Sequence, residues 1–317
     1  MNQDSNPILP EADLSKVKRY SVKDRFSKVS TDAFAKPLSK DGKLSSFFEA
    51  LPDVLMASQF KRLVGNLIKA KAEGKPILWM MGGHVIKVGM GPLLIQMMEE
   101  GWIQGFVMNS AASIHDSEIA RFGQTSEDVA EAIKDGSFGM AIETSKEYLE
   151  ALNYGSKSGL GWGESMCEWL SQEQQPHRSL SVLAQAKARK IPVTIFGALG
   201  TDIIWQHPEL DGALLGEAGA RDFRKLIEFL KGLEGGAVLN WGSAVIIPEV
   251  FLKAFTTARN LGAKIERFSS ANFDMIQHYR PRVNILDRPT SLGGEKFAIT
   301  GHHELMMPML CAALLEG

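Results

Sequence analysis

Several short stretches of this sequence gather residue types that handle protons, phosphates or sugar hydroxyls. Gly82-Gly83-His84 sets two residues without side chains, which let a backbone approach an anion closely, beside an imidazole. Asn109-Ser110-Ala111-Ala112 places an amide and a hydroxyl next to small side chains, where a flat ligand fits and a helix cap fits equally. His115-Asp116 joins an imidazole to a carboxylate that would fix its tautomer, although helix neighbours point in different directions. In Gly197-Ala198-Leu199-Gly200-Thr201-Asp202 a carboxylate sits in a glycine-rich loop, suited to ribose hydroxyls, to a cationic substrate or to a plain Asx turn. Asn240-Trp241-Gly242-Ser243 repeats the pairing of a small residue with amide and hydroxyl groups, and Trp241 serves equally as core.

Other chemistries lack their spacing. The seven histidines (84, 115, 177, 207, 278, 302 and 303) form no His-Glu-x-x-His or similar pattern, so no metal is expected, although His84, His115 and His303 would make a zinc set across strand ends. No Gly-x-Ser-x-Gly elbow marks a serine hydrolase. Imine chemistry needs a partly desolvated lysine, and the candidates are Lys296, in Gly293-Gly294-Glu295-Lys296-Phe297, and Lys87.

The elements that must position these groups show a repeated texture. Short apolar runs at 76–81, 103–108, 191–196, 237–239 and 264–268 each lead into one of the small polar stretches or into Ser269-Ser270-Ala271-Asn272, and helical spacing follows. Such runs, apolar on both sides and alternating with helices, predict a doubly wound α/β fold with a mostly parallel sheet covered on both faces. Ligands of such sheets bind at the carboxyl ends of the strands, where strand order reverses. Residues 1–45 read as a polar N-terminal arm and 46–317 as one domain, beginning with helical periodicity at 44–71 that Pro52 divides. A long helical stretch is predicted from 126 to 170, broken at Gly136 and around 155–163.

Composition excludes other classes. Lys and Arg number 35 against 37 Asp and Glu in 317 residues, which argues against a nucleic-acid or membrane-surface partner. Two cysteines, Cys167 and Cys311, cannot build a disulfide framework and fit a reducing compartment. A polar N-terminus and the lack of an 18-residue apolar run predict a cytoplasmic protein.

The blocks Met80–Gly89, Val107–Ile119 (VMNSAASIHDSEI), Ala198–Asp202, Trp241-Gly242, Ser269–Asp274 and Gly301–Leu310 (GHHELMMPML) run in the order seen in deoxyhypusine synthases, and residues 75–315 resemble that family. The resemblance implies a Rossmann-like fold shared with sirtuins, bound NAD, and a homotetramer with active sites between paired subunits. It implies oxidation of spermidine or a related amine and transfer of the aminobutyl group, through a lysine imine, to an acceptor protein lysine or a second polyamine. Carried over by position, Asn109, Ser110, Ala111, Thr201, Asp202, Trp241, Gly242, Ser270, Asp274 and His302 would surround the cofactor together with Gly82 and Gly83. Lys296 would form the imine, and His115 or His303 would shuttle the proton. The sequence departs from the family at Val245-Ile246-Ile247-Pro248-Glu249, where a His-His segment and an Asn are expected, and it has no Trp-Gly-Lys. Two further readings therefore stand beside the transferase: an NAD-dependent dehydrogenase or NAD-cleaving enzyme, and a nucleotide-binding or assembly protein that kept the scaffold without the lysine chemistry.

Overall fold

The computed structural model describes residues 9–172 and 174–317; the first eight residues of the expected arm lie outside them. From Leu9 to Lys43 the chain holds only three single-turn 3-10 helices, at Leu14–Lys16, Val22–Asp24 and Thr31–Ala33. Each is opened by a side-chain oxygen, of Asp13, Ser21 or Ser30, that accepts the N–H two residues on.

Helices α1 (Leu44–Ala50) and α2 (Leu55–Ala72) follow. Leu51, just before Pro52, is extended, as the residue preceding a proline prefers, and this ends α1. The second helix opens at Leu55 and not around Pro52, because Val54 is still extended. Its buried Phe60, Leu63, Leu67 and Ala70 recur at helical spacing and pack on the sheet.

The remaining elements alternate as predicted. Strand β1 (Ile77–Met81) leads to α3 (Gly83–Lys87) and α4 (Gly91–Glu99); β2 (Gly105–Asn109) leads to α5 (Ser110–Phe122). The expected long helical stretch is three helices, α6 (Val129–Ala132), α7 (Ile142–Lys157) and α8 (Trp162–Leu170), followed by α9 (Val182–Ala188). Then come β3 (Val193–Phe196), α10 (Gly212–Leu230), β4 (Ala237–Trp241), α11 (Ile246–Asn260), β5 (Ser269–Asp274), α12 (Tyr279–Pro281) running into a π-helical turn at Arg282–Asp287, β6 (Glu295–Thr300) and α13 (His303–Glu316).

All six strands are parallel and lie in the order β3-β2-β1-β4-β5-β6. The fold is a doubly wound α/β sheet with helices on both faces. One face carries Trp79, Met81, Phe106, Leu239, Trp241, Phe273 and Phe297 into a core with α2, α5, α8, α9 and α13. The other buries Leu78, Met80, Val107 and Val238 against Leu226 and Leu230 of α10 and Phe251 and Phe255 of α11. Burying a side chain of this size contributes roughly 1.5–3 kcal/mol, so these two layers hold the strand tips in fixed register.

The fifth strand departs from the expectation. The apolar run 264–268 is irregular, and the strand is the polar segment that follows it. Its hydroxyl and amide groups are tolerated because they are satisfied inside the fold: Ser270 Oγ donates to the Ile285 carbonyl at 2.7 Å, and the Asn272 carbonyl oxygen accepts from Asn240 Nδ2 at 2.7 Å. The sixth strand, at the sheet edge, lies beyond the five apolar runs.

Candidate functional site

Strand order reverses between β1 and β4, which lie side by side although the chain visits β2 and β3 between them. Here two glycines continue the sheet pairing one residue past the strands. Gly82 N–H donates to the Trp241 carbonyl at 2.9 Å, and Gly242 N–H donates to the Phe273 carbonyl at 3.0 Å. A Cβ on Gly82 would lie 2.6 Å from the Gly242 carbonyl oxygen, so the two turns touch through bare backbone. Gly242 also has φ +66°, the left-handed region, and a Cβ there would lie 2.4 Å from His303 Nε2.

His303, the first residue of α13, is therefore seated against the β4 turn. It is buried, its Nδ1 has no hydrogen-bond partner, and its ring lies 5.8 Å from that of exposed His84 and 6.1 Å from that of Trp241. Burial lowers the His303 pKa; Asp274 opposes this and His84 adds to it, so the imidazole is held neutral near pH 7. Asp274, the last residue of β5, is itself buried. The helix that His303 opens has no side-chain cap; the His302 carbonyl accepts from Leu305 N–H at 3.1 Å and from Met306 N–H at 2.9 Å.

A second group lies at the β2 and β3 tips. Ser110 Oγ donates to Asp202 Oδ2 at 2.5 Å, and Thr201 Oγ1 lies 3.5 Å from the same oxygen. Burial raises the Asp202 pKa against these hydrogen bonds. Gly197 permits this pair, since a Cβ there would meet Asp202 Oδ2 at 2.8 Å. On α5, His115 packs beside the Gly83 turn, with its Cδ2 3.2 Å from where a Gly83 Cβ would stand.

Several expected site residues do other work. Trp241 is fully buried, stacked 3.8 Å from Phe273, and belongs to the core. Ser270 sits near the amino end of β5, away from the tips. Asn109 caps α5 by accepting from Ala112 N–H at 2.9 Å. Asp116 does not face His115: it accepts from Ser181 Oγ at 2.6 Å and from Val182 N–H at 2.7 Å, and so anchors the start of α9. His302 is exposed, 3.7 Å from Glu304. Lys296 lies near the amino end of β6, paired in register with Ser270, and its ammonium group donates to Asp287 at 2.6 Å on the exposed edge. The structure thus brings together Gly82, Gly83, Ser110, Ala111, Asp202, Gly242, Asp274, His115 and His303 along the strand tips and leaves Lys296 outside that group. His84 and His303, grouped above as possible metal ligands, do lie side by side; the participant without a chemical signal of its own is Gly301. Its N–H donates to the Asp274 carbonyl at 3.1 Å. A glycine directly after a strand, at 82, 197, 242 and 301, is the signal that finds all these turns.

The loops and helix starts after the strands also carry exposed apolar side chains, Leu199, Val245, Met275, Ile276, Tyr279 and Leu305. Beside His115 an open cavity of about 550 Å³ is bordered by Glu118, Phe122, Thr125, Glu127, Glu143 and Thr144. Among the described residues no three His, Cys, Asp or Glu side chains are grouped to hold a metal, and no helix is long and apolar enough to cross a membrane.

Six parallel strands in this order, with a polar site at the reversal of strand order, define a Rossmann-like doubly wound protein. No family model matches the sequence, and no curated protein does. Solved structures with the same fold include ArgZ, an arginine dihydrolase from the ornithine–ammonia cycle in cyanobacteria, at 15% identity and TM-score 0.50 over 83% of this chain and 33% of that one. Unliganded AgrE matches at 17% identity and TM-score 0.52 over 82% of this chain and 32% of its own, and AgrE is also known as a ternary complex with ornithine and NAD+. A provisionally assigned deoxyhypusine synthase from Entamoeba histolytica matches at 13% identity and TM-score 0.50, over 87% of this chain and 94% of that one. The chain spans about one third of the length of ArgZ and AgrE. At these identities the likeness is one of fold.

Proposed function

We propose that this chain binds NAD across the carboxyl ends of β1 and β4 and acts as an NAD-dependent oxidoreductase on a small polar substrate. The observation that carries the reading is His303: a buried, neutral imidazole with an unpartnered Nδ1, seated between Asp274 and the Gly82–Gly242 turns at the reversal of strand order. An orphaned buried ring nitrogen is costly unless a ligand completes it, so the residues fit a group with hydroxyl or phosphate oxygens. Asp202, with Ser110, offers an acceptor for ribose hydroxyls on the β2–β3 side, in place of a carboxylate at the end of β2, where Asn109 is committed to its cap. The apolar rim suits the flat faces of base and nicotinamide rings. NAD, when bound, would supply hydride chemistry; the chain's own contribution is to orient it and to hold protons at His303 and His115.

AgrE complexed with ornithine and NAD+ supports the cofactor by fold alone. Aminobutyl transfer through an imine needs a lysine at the tips, and Lys296, ion-paired at the other end of its strand, gives that route no support.

Calorimetric titration of the protein with NAD tests the reading. Binding should be seen in the wild type and should weaken by tenfold or more in His303→Ala, about 1.4 kcal/mol. At about 100 times its dissociation constant, NAD should stabilise the fold by roughly 2.7 kcal/mol. A wild type that neither binds NAD nor gains stability from it would refute the proposal.

A further inference from the structure

The chain around His115 contains a carboxylate partner, but it is not the neighbouring Asp116. His115 and Glu118 stand three residues apart on the same face of α5. The helix ends at Gly123, in the left-handed conformation at φ +69°, and the chain folds back so that Thr125 returns to that face. Thr125 Oγ1 lies 2.7 Å from His115 Nδ1, and the same hydroxyl donates to Glu118. Glu118 accepts a second hydrogen bond from Thr144 Oγ1 at 2.9 Å.

The hydrogen count along this chain has one solution. Burial works to raise the Glu118 pKa, but the His115 ring, with Nδ1 3.9 Å away, and hydrogen bonds from Thr125 and Thr144 outweigh it and leave the pKa lowered. Glu118 is therefore ionised at neutral pH and can only accept. Thr125 has a single hydroxyl hydrogen, and it is committed to Glu118. The lone pair of Thr125 then faces His115, so Nδ1 must carry the hydrogen. The other ring nitrogen, Nε2, makes no hydrogen bond among the described residues. The adjacent Cδ2 is the ring atom that meets the Gly83 turn at the tip of β1.

Resting on the proposed tip site, we infer that Thr125 and Glu118 are positioning residues that fix His115 as its Nδ1–H tautomer, so that Nε2 is the proton-accepting atom on the β1–β2 flank of that site. A bare imidazole at this place could present either nitrogen; the hydroxyl and carboxylate behind it remove the choice. Their far side opens on the cavity bordered by Glu118, Thr125 and Thr144, so the back of the relay is within reach of water.

The test is nitrogen and carbon NMR of histidine-labelled full-length protein without nucleotide, with the His115 signals assigned by comparison with His115→Gln. The expected result is the Nδ1–H tautomer in the wild type, its loss in Thr125→Val, and its return in Thr125→Ser. A role in packing alone would not move the tautomer. An Nε2–H tautomer in the wild type overturns the inference, and so does a Thr125→Val protein that keeps Nδ1–H. If Thr125→Val does not fold, the wild-type spectrum and Thr125→Ser decide: Nδ1–H in both supports the inference, and Nε2–H in either overturns it. NAD binding is measured separately on the same samples. Absent binding alongside an Nδ1–H wild type would overturn the nucleotide site while leaving the tautomer assignment standing.

Discussion

Substituting Gly242 by alanine separates two costs that the β4 turn avoids. At φ +66° an L-residue is strained by about 1–2 kcal/mol. The added Cβ would also lie 2.4 Å from His303 Nε2, where ordinary contact begins at 3.4 Å. The buried ring must then retreat by about 1 Å, out of its rotamer well, at a further cost of roughly 0.5–1.5 kcal/mol. Gly242→Ala should therefore lose about 2–3 kcal/mol in urea denaturation at pH 7. Gly74 provides an internal control. It has φ +64° but nothing within 4 Å of its would-be Cβ, so Gly74→Ala carries the backbone strain alone. The difference between the two variants measures the pressure on His303, and NAD affinity should fall only in Gly242→Ala. Equal losses in the two proteins, within about 0.5 kcal/mol, would refute the claim that His303 is seated on this turn.

Further expectations concern groups away from the turn. Asp222 is buried, accepts from Gly163 N–H at 2.8 Å and from Ile195 N–H at 2.7 Å, and has its pKa pushed up to about 7, chiefly by burial. The folded state thus keeps a proton that the unfolded chain releases near pH 4, and stability should fall as pH rises from about 4 through 7, by up to ~4 kcal/mol from this group. Urea midpoints at pH 5 and pH 8 check this, and Asp222→Asn should flatten the difference. Asp116→Ala strands the Ser181 hydroxyl and the Val182 and Leu183 N–H groups, so a loss of about 3 kcal/mol or more is expected by the same assay. Lys296→Met removes only an exposed ion pair with Asp287, so stability should change by less than about 1 kcal/mol and NAD affinity not at all. Borohydride reduction in the presence of spermidine and NAD should leave Lys296 unlabelled, as mass spectrometry of the digest would reveal.

Four strands were legible because a parallel strand buried on both faces writes itself as an apolar run, as in Ile77–Met81 and Val193–Phe196. The fifth was not, since Ser269, Ser270 and Asn272 look like loop residues until their partners in Ile285 and Asn240 are known. The sixth reads Glu-Lys-Phe-Ala-Ile-Thr, an edge strand whose Lys296 drew attention as a nucleophile. Its distance from the tips depends on register, which spacing along the chain does not carry. Glycine turns and the Ser110–Asp202 pair follow from the rule that ligands meet the carboxyl ends of strands. The His115–Thr125–Glu118 chain does not, because its closure depends on the left-handed turn at Gly123.

Neighbouring residues on α5 divide two tasks between them. Asp116 grips the first amides of α9, and His115 looks the other way, toward the strand tips. One side chain is a bolt and the next a tool. Because successive positions turn by about 100° around a helix axis, a bolt at 116 fixes the bearing of the tool at 115. Any change that loosens α9 therefore releases a contact one residue away from the imidazole.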